Sequence, residues 1–273
     1  MANGQLLGKG YRKAYASRGD DMRTRFVRVA QEPGTERKRR VNKPRLPGFE
    51  AAFIQEGRTK FPKSVKKPDR HILVSGHNNI KIGKVVRKGH LRGYYIFTLS
   101  LEERKSCPAS CQHWQTCYGN NMPFAKRVDH TDPQFLPTLE AAIKLRASQA
   151  KKRGSGILIR LHALGDFYSP EYVGFWRRML VKFTNLSIYG YTARNNEDDI
   201  GPAVFKLRRD FGLRAMIRSS NGERHNMNTV TIGSVESRPK TAFICPEQTG
   251  KTLGCDTCAA CWATTKTVAF LEH

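Results

Sequence analysis

Cys107, Cys111 and Cys117 fall inside the stretch "SCPASCQHWQTCYG", and Cys255, Cys258 and Cys261 succeed one another at two-residue gaps after the pair Cys245-Pro246. Together they are all seven cysteines of a 273-residue chain. Thiols grouped this tightly have two stable fates, oxidation to disulfides or ligation of a metal. The odd count, the length of the chain and the lack of an apolar export segment in "MANGQLLGKGYRKAY" disfavour a disulfide framework. Ligation is the better reading.

Spacing then separates the metals. Structural zinc typically takes two separated C-x2-4-C pairs, each giving two sulfurs to a tetrahedron. A C-x2-C-x2-C triple with a distant Cys-Pro has instead the form of a ferredoxin-like iron-sulfur run. We therefore expect one or two 4Fe-4S clusters held by Cys107, Cys111, Cys117, Cys245, Cys255, Cys258 and Cys261. Seven thiolates divide as three plus four, where three would leave one iron open and four would close the other cluster. A single cluster drawing ligands from both groups is the other arrangement. His113, inside the first group, reads as a surface residue beside the ligand loop.

The elements that must position these groups alternate in type. "YYIFTLSL" (94–101) is a β-rich run that leads into Cys107. A helix is expected from Pro137 to Gly154, with Leu139, Ala142, Ile143 and Leu145 as its apolar stripe. "GILIRLHALGDF" (156–167) is a second strand, and Ser169, Pro170 and Glu171 supply the cap, first position and first-turn acid of the next helix. "LSIYGYTAR", "LRAMIRSS", "NTVTIGSV" and "KTAFIC" are further strands, the last ending on Cys245. Repeated βα units imply a parallel sheet, and their number suits an α/β fold with a full or partial (β/α) TIM-like barrel. We expect this domain over residues 71–273, opening with a hairpin at 71–92. Residues 1–70, with "ERKRR" and "KSVKKPDR", read as a basic, irregular N-terminal extension.

Active sites of such barrels lie at the C-terminal ends of the strands, where polar residues collect here. Arg160 and His162 alternate away from Ile157, Ile159 and Leu161, and with Asp166 they are the catalytic candidates. Gly165, Asp166 and Arg194 stand at the same strand ends, and Arg194 is a further candidate for contacting a bound group.

The formal charge of +25 is spread along the chain, with a pI near 10.1. Such a field attracts polyanions, because each neutralised phosphate releases counterions. Nucleic acid, DNA or RNA, is the expected partner. A membrane is not, since there is no basic amphipathic helix and no apolar run long enough to span. We expect a cytoplasmic protein, in the host cytoplasm if the chain is viral; oligomeric state is not legible.

Taken together, "CPASCQHWQTCYG", "IRLHALGDFYSPEYVGFW", "YGYTAR" and "CPEQTGKTLGCDTCAACW" resemble the cysteine-rich phage and plasmid family labelled gene product 88-like, over roughly residues 93–262. More distantly, a three-cysteine loop after the first barrel strand and a Gly-acidic motif ending the second resemble the radical-SAM enzymes. That resemblance implies a cluster on Cys107, Cys111 and Cys117, with Gly165 and Asp166 contacting S-adenosylmethionine. The first group here has C-x3-C-x5-C spacing in place of the family's C-x3-C-x2-C, and "GDF" is a loose form of its acidic motif. Two functions follow: a radical-SAM-like iron-sulfur enzyme of mobile-element origin acting on nucleic acid or a nucleotide, or a non-enzymatic 4Fe-4S protein that binds nucleic acid. A zinc-stapled nuclease using Asp166, Glu236 and His162 is a third.

Overall fold

The computed structural model describes residues 11–14, 25–28, 52–79, 81–195, 198–220 and 227–272. The chain divides into two compact units, Met1–Gly48 and Phe49–His273. In the first, β1 (Tyr11–Ala14) and β2 (Arg25–Arg28) pair antiparallel, Tyr11 opposite Arg28. The basic run at 37–40 lies outside the described residues. Residues 52–70, expected in the N-terminal extension, belong to the second unit. There α1 (Ala52–Gln55) buries Ile54, and β3 (Val65–Lys66) pairs in parallel with β6 (Arg127–Val128).

The second unit is built on one eight-stranded sheet. Its strands are β4 (Val74–Ser75), β5 (Tyr95–Leu99), β7 (Ile157–Leu161), β8 (Leu186–Thr192), β9 (Ala215–Ser220), β10 (Asn228–Ile232), β11 (Ala242–Ile244) and β12 (Thr267–Leu271). They stand in the order β11-β12-β10-β9-β8-β7-β5-β4. Every neighbouring pair is parallel except β4 with β5. The expected hairpin at 71–92 is absent, because β4 takes β5 as its partner and Val85 bridges Tyr95. Ile82 and Val86 are spent on the core instead.

Three helices make the crossovers: α2 (Phe135–Lys151), α3 (Pro170–Lys182) and α4 (Ile200–Phe211). Ser169 Oγ accepts from the Tyr172 N–H at 3.2 Å and caps α3 ahead of Pro170, as the sequence requires. α2 starts two residues before Pro137, since Phe135 is buried and joins its apolar face. Leu145 is 50 % exposed. The 3.6-residue period carries the stripe from Ile143 to Ala147 and Ala150, past Leu145.

The sheet buries both faces, which is why its strands read as continuous apolar runs. Leu99, Ile157, Ile159, Ile188 and Ile217 pack with α2, α3 and α4 in one cluster. Ile96, Leu158, Tyr189 and Met216 face the other way, against Ile82, Val86, Cys255, Cys261 and Trp262. The C-terminal segment, which the sequence left unanchored, is β12, inserted between β10 and β11. Among the described residues no helix is long and apolar enough to cross a membrane.

Candidate functional site

The first cysteine group leaves the C-terminal end of β5. Directly after the strand, Glu102, Glu103 and Arg104 turn inward and are buried. Charges leave water only where partners replace it. Glu103 pairs with buried Arg127 at 2.6 Å and accepts from Thr59 Oγ1 at 2.7 Å. Arg104 donates to the Trp114 carbonyl at 3.0 Å and to Asn120 Oδ1 at 2.8 Å, so one guanidinium holds the cysteine loop at two points. Ser106 Oγ donates to Glu102 O at 2.7 Å and accepts from Asp166 N–H at 3.2 Å. Further on, the Tyr118 hydroxyl donates to Ala163 O, and His113 Nε2 lies 3.3 Å from Thr231 Oγ1 on β10. The loop is thereby tied to the ends of both β7 and β10.

Cys107, Cys111 and Cys117 are half-buried and form no disulfide. Burial raises all three thiol pKa values, and the Asp166 carboxylate adds to the rise at Cys107 and Cys111. Cys107 is close enough to Cys111 and Cys117 for each to act on it electrostatically. Bare thiolates are disfavoured in this setting, and a bound cation would invert that preference.

The second group lies against the opposite face of the sheet from the helices. It comprises Cys245 after β11 and two single-turn helices, α5 (Cys255–Cys258) and α6 (Ala260–Ala263). Cys245 N–H donates to Ala269 O at 2.8 Å, and Cys255 N–H to Lys81 O at 2.6 Å. Fully buried Arg218 on β9 donates to the carbonyls of Cys261 (3.2 Å), Ala260 (3.3 Å), Lys266 (2.8 Å) and Thr264. Trp262 packs on Tyr189 with ring centroids 4.8 Å apart. Cys245, Cys255, Cys258 and Cys261 line one small pocket of about 10 Å³ together with Glu247 and Trp262. All but Cys258 of these cysteines are buried. Tyr191 OH donates to Cys261 Sγ at 2.9 Å. Burial pushes the Cys255 thiol up to about 12 and raises Cys245, with Lys81 opposing both. Among the described residues, no group of three or more His, Cys, Asp or Glu is arranged so that it could hold a metal ion.

Arg160 lies between the two groups. Its guanidinium rests over the Tyr191 ring, 5.2 Å from the centroid, and the ionisable groups acting on it are Tyr189, Tyr191, Tyr118 and Cys255. Its buried Nε and the Tyr189 hydroxyl have no hydrogen-bond partner among the described residues. His162 does not share that face. Strand pairing ends at Leu161, so the alternation stops there. The His162 ring meets Phe167 and Tyr172 on the helix side, with Nε2 2.9 Å from the Tyr172 hydroxyl.

The remaining candidates are engaged in holding the strand ends. Asp166 is buried, and its two oxygens accept from Phe167 N–H and Ala193 N–H, each at 2.7 Å. Burial raises its pKa to about 6 against the pull of the Thr192, Ala193 and Phe167 hydrogen bonds. Arg194 donates to Phe167 O at 2.8 Å and Ser106 O at 3.0 Å, and pairs with Asp198 at 3.2 Å. Gly165 has φ +88°, and a Cβ there would stand 2.6 Å from Ser106 Oγ. Glu236 is exposed, and hydrogen bonds from its own backbone N–H and from the Ser234 side chain hold its pKa down.

Sequence reasoning missed Glu103, Arg104 and Arg127. The available signal was "EER" placed between an apolar strand and the first cysteine, where a solvent loop has no need of three successive charges.

No curated protein and no solved structure matches this chain. The family model described as gene product 88 matches residues 71–264, a span that holds all seven cysteines, Arg160, the Glu103–Arg127 pair and Arg218. The chain belongs to the gene product 88 family.

Proposed function

We propose that this protein is an iron-sulfur protein that binds nucleic acid, with a closed cluster on Cys245, Cys255, Cys258 and Cys261 and an open one on Cys107, Cys111 and Cys117. The observation that carries the reading is convergence: four cysteines from two chain segments line one small pocket. Zinc would need its sulfurs about 2.3 Å from a single point. The C-x2-C-x2-C triple with a distant Cys-Pro suits an iron-sulfur group better than two separated zinc knuckles. When bound, such a cluster supplies electron transfer or, with an open iron, a site for an added ligand. This chain's own residues would exclude water from the closed site through Trp262 and Tyr189, and donate to a sulfur through Tyr191.

The fold reading that accompanies this is a partial (β/α) barrel. β5, β7, β8 and β9 follow in sequential order, and crossovers of one hand place α2, α3 and α4 on one side of the sheet. The other side would be the barrel interior, where Arg160 and the second cysteine group lie. The engagement of Gly165, Asp166 and Arg194 within the fold favours the non-enzymatic form over a radical-SAM-like enzyme. The partner assignment rests on the +25 charge.

Anaerobic purification with iron and sulfide analysis tests the metal. About eight irons and eight sulfides per chain are expected for two clusters, about four of each for one. Stoichiometric zinc without sulfide would overturn the reading. S-adenosylmethionine binding and reductive cleavage by the reduced protein would move it to the enzymatic form.

A further inference from the structure

A second concave site contains no cysteine. Residues 60–66 and 123–126 line a cleft of about 780 Å³, within the size range of small-ligand sites. Lys60, Lys63, Lys66 and Lys126 line it against a single acid, Asp69. That acid is already held by Lys126 at 2.7 Å, so Lys60, Lys63 and Lys66 have no carboxylate partner among the described residues.

The cleft is fixed from beneath. Fully buried Arg127 donates to Ser64 Oγ at 2.9 Å on one wall, and to the Met122 and Ala125 carbonyls at 3.1 and 2.9 Å on the other. Its charge is met by Glu103, and the pairing of β3 with β6 joins the same two segments. A site held this way does not have to be ordered by its ligand.

At its rim Phe124 is 98 % exposed. Solvated lysines are ordinary, and so is one exposed ring. An open groove that combines lysines lacking a carboxylate partner among the described residues with a fully exposed aromatic face has the two parts of a single-strand site, an electrostatic track for the backbone and a platform for a base. A duplex fits it poorly, since groove reading needs a protruding helix or ribbon.

We propose that this cleft binds single-stranded nucleic acid, with Lys60, Lys63 and Lys66 taking phosphates and a base stacked on Phe124. The inference deepens the nucleic-acid reading above and rests on it, but it is independent of the metal.

The test uses the full-length protein and fluorescein-labelled single-stranded RNA, single-stranded DNA and a duplex of equal length, followed by anisotropy across a salt series. Phe124→Ala should weaken single-strand binding about tenfold and leave duplex binding unchanged. The triple variant Lys60→Ala, Lys63→Ala, Lys66→Ala should flatten the slope of log affinity against log salt by about 2. All four side chains reach solvent, so unchanged circular dichroism and melting should accompany both effects. Wild-type protein that binds no nucleic acid at low salt would overturn this proposal and the partner reading together. Wild-type binding that neither variant alters would overturn the cleft alone. Preference for the duplex, or loss of both duplex and single-strand binding in Phe124→Ala, would overturn the single-strand assignment. Equal effects on RNA and DNA would place recognition in the shared backbone, and an effect on RNA alone would assign the 2′-hydroxyl a role; either result sustains the site.

Discussion

The two cysteine groups are built by opposite means. The first is a loop at the strand ends, held by buried charges: Arg104 reaches the Trp114 carbonyl and Asn120, and Ser106 is pinned by Glu102 and Asp166. Its thiols remain half-exposed. The second rests on apolar surface, with Trp262, Tyr189 and Met216 around it, and lines its own small pocket. A polar scaffold leaves a loop in place when the thiols are unligated, because its hydrogen bonds do not run through sulfur. The second group has polar ties of its own, from Arg218 to the carbonyls of Ala260, Cys261, Thr264 and Lys266, but its thiols sit in an apolar shell that depends on what fills the space between them. The difference assigns stability to the second group and accessibility to the first.

The largest test is a pair of substitutions. Cys261→Ala should remove a ligand from the closed site, where binding free energy is folding free energy. Against a total stability of about 5–15 kcal/mol, a loss of several kcal/mol should appear as protease-sensitive or insoluble protein. Cys107→Ala should lower iron content while the melt shifts by less than about 1 kcal/mol. Equal melts for the two variants would erase the distinction.

Acid sharpens the comparison next. Two histidines lie near the helix side of the sheet: buried His162 just after β7 and half-buried His130, whose ring lies 4.4 Å from that of Tyr168. Desolvation lowers His130 to about 4 and His162 to about 3, with the Lys105 charge adding to it at His130 and the His130 charge at His162. Both folded values lie below the unfolded value of about 6.5. Above that pH neither state binds a proton and the histidines contribute nothing. Below it the unfolded chain binds protons that the folded one refuses, so stability falls as pH drops from about 6.5 toward 4. A loss on the order of 3 kcal/mol is expected by pH 4 from buried His162 alone. Urea melts should show it, and His162→Gln should flatten the curve; a variant with wild-type pH dependence would remove His162 from the account.

The strand-helix alternation was legible because parallel strands buried on both faces write continuous apolar runs, and Ser169-Pro170 wrote a cap. The cysteine groupings were legible for the same reason of locality. What failed was non-local. Strand β12 carries "TVAFL", an apolar run as clear as "TAFIC", yet its place between β10 and β11 depends on a crossover that spacing does not encode. Arg160 and His162 were put on one face by extending an alternation past Leu161, where the pairing stops. Asp166 and Arg194 read as ligand contacts because a polar residue at a strand end looks alike whether it faces a ligand or a neighbouring carbonyl. Only the partners distinguish the two, and those come from other strands.

Each group also leans on one left-handed glycine, and exchanging them for alanine compares the two supports. Gly83 has φ +81°, and its Cβ would stand 2.4 Å from Asp256 Cγ, beside Cys255. Gly165 presses on Ser106 and Leu101, beside Cys107. Gly83→Ala should push α5 out of place and cost about 2 kcal/mol of stability together with metal from the closed site. Gly165→Ala should cost a similar amount while sparing the closed site's metal. Thermal melts paired with iron analysis read both. Metal lost equally from each variant would mean that the two groups serve one centre.

The smallest expected effect concerns a single hydrogen bond found in only one of the groups. Tyr191 donates its hydroxyl to Cys261 Sγ at 2.9 Å, whereas the first group's tyrosine, Tyr118, donates to the Ala163 carbonyl. A donor to a ligating sulfur stabilises the reduced, more negative form of a cluster and raises its potential. Tyr191→Phe keeps the ring, its contact with Phe270 and its place under Arg160, and removes only the donor. Stability should fall by about 1 kcal/mol, a shift of about 2–4 °C in melting for a unit of this size. The closed cluster should become harder to reduce, while Tyr118→Phe leaves its potential where it was. Redox titration of both variants would decide this: a shift in Tyr118→Phe and none in Tyr191→Phe would show that the redox-active thiolates belong to the first group, and the roles assigned to the two groups would have to be exchanged.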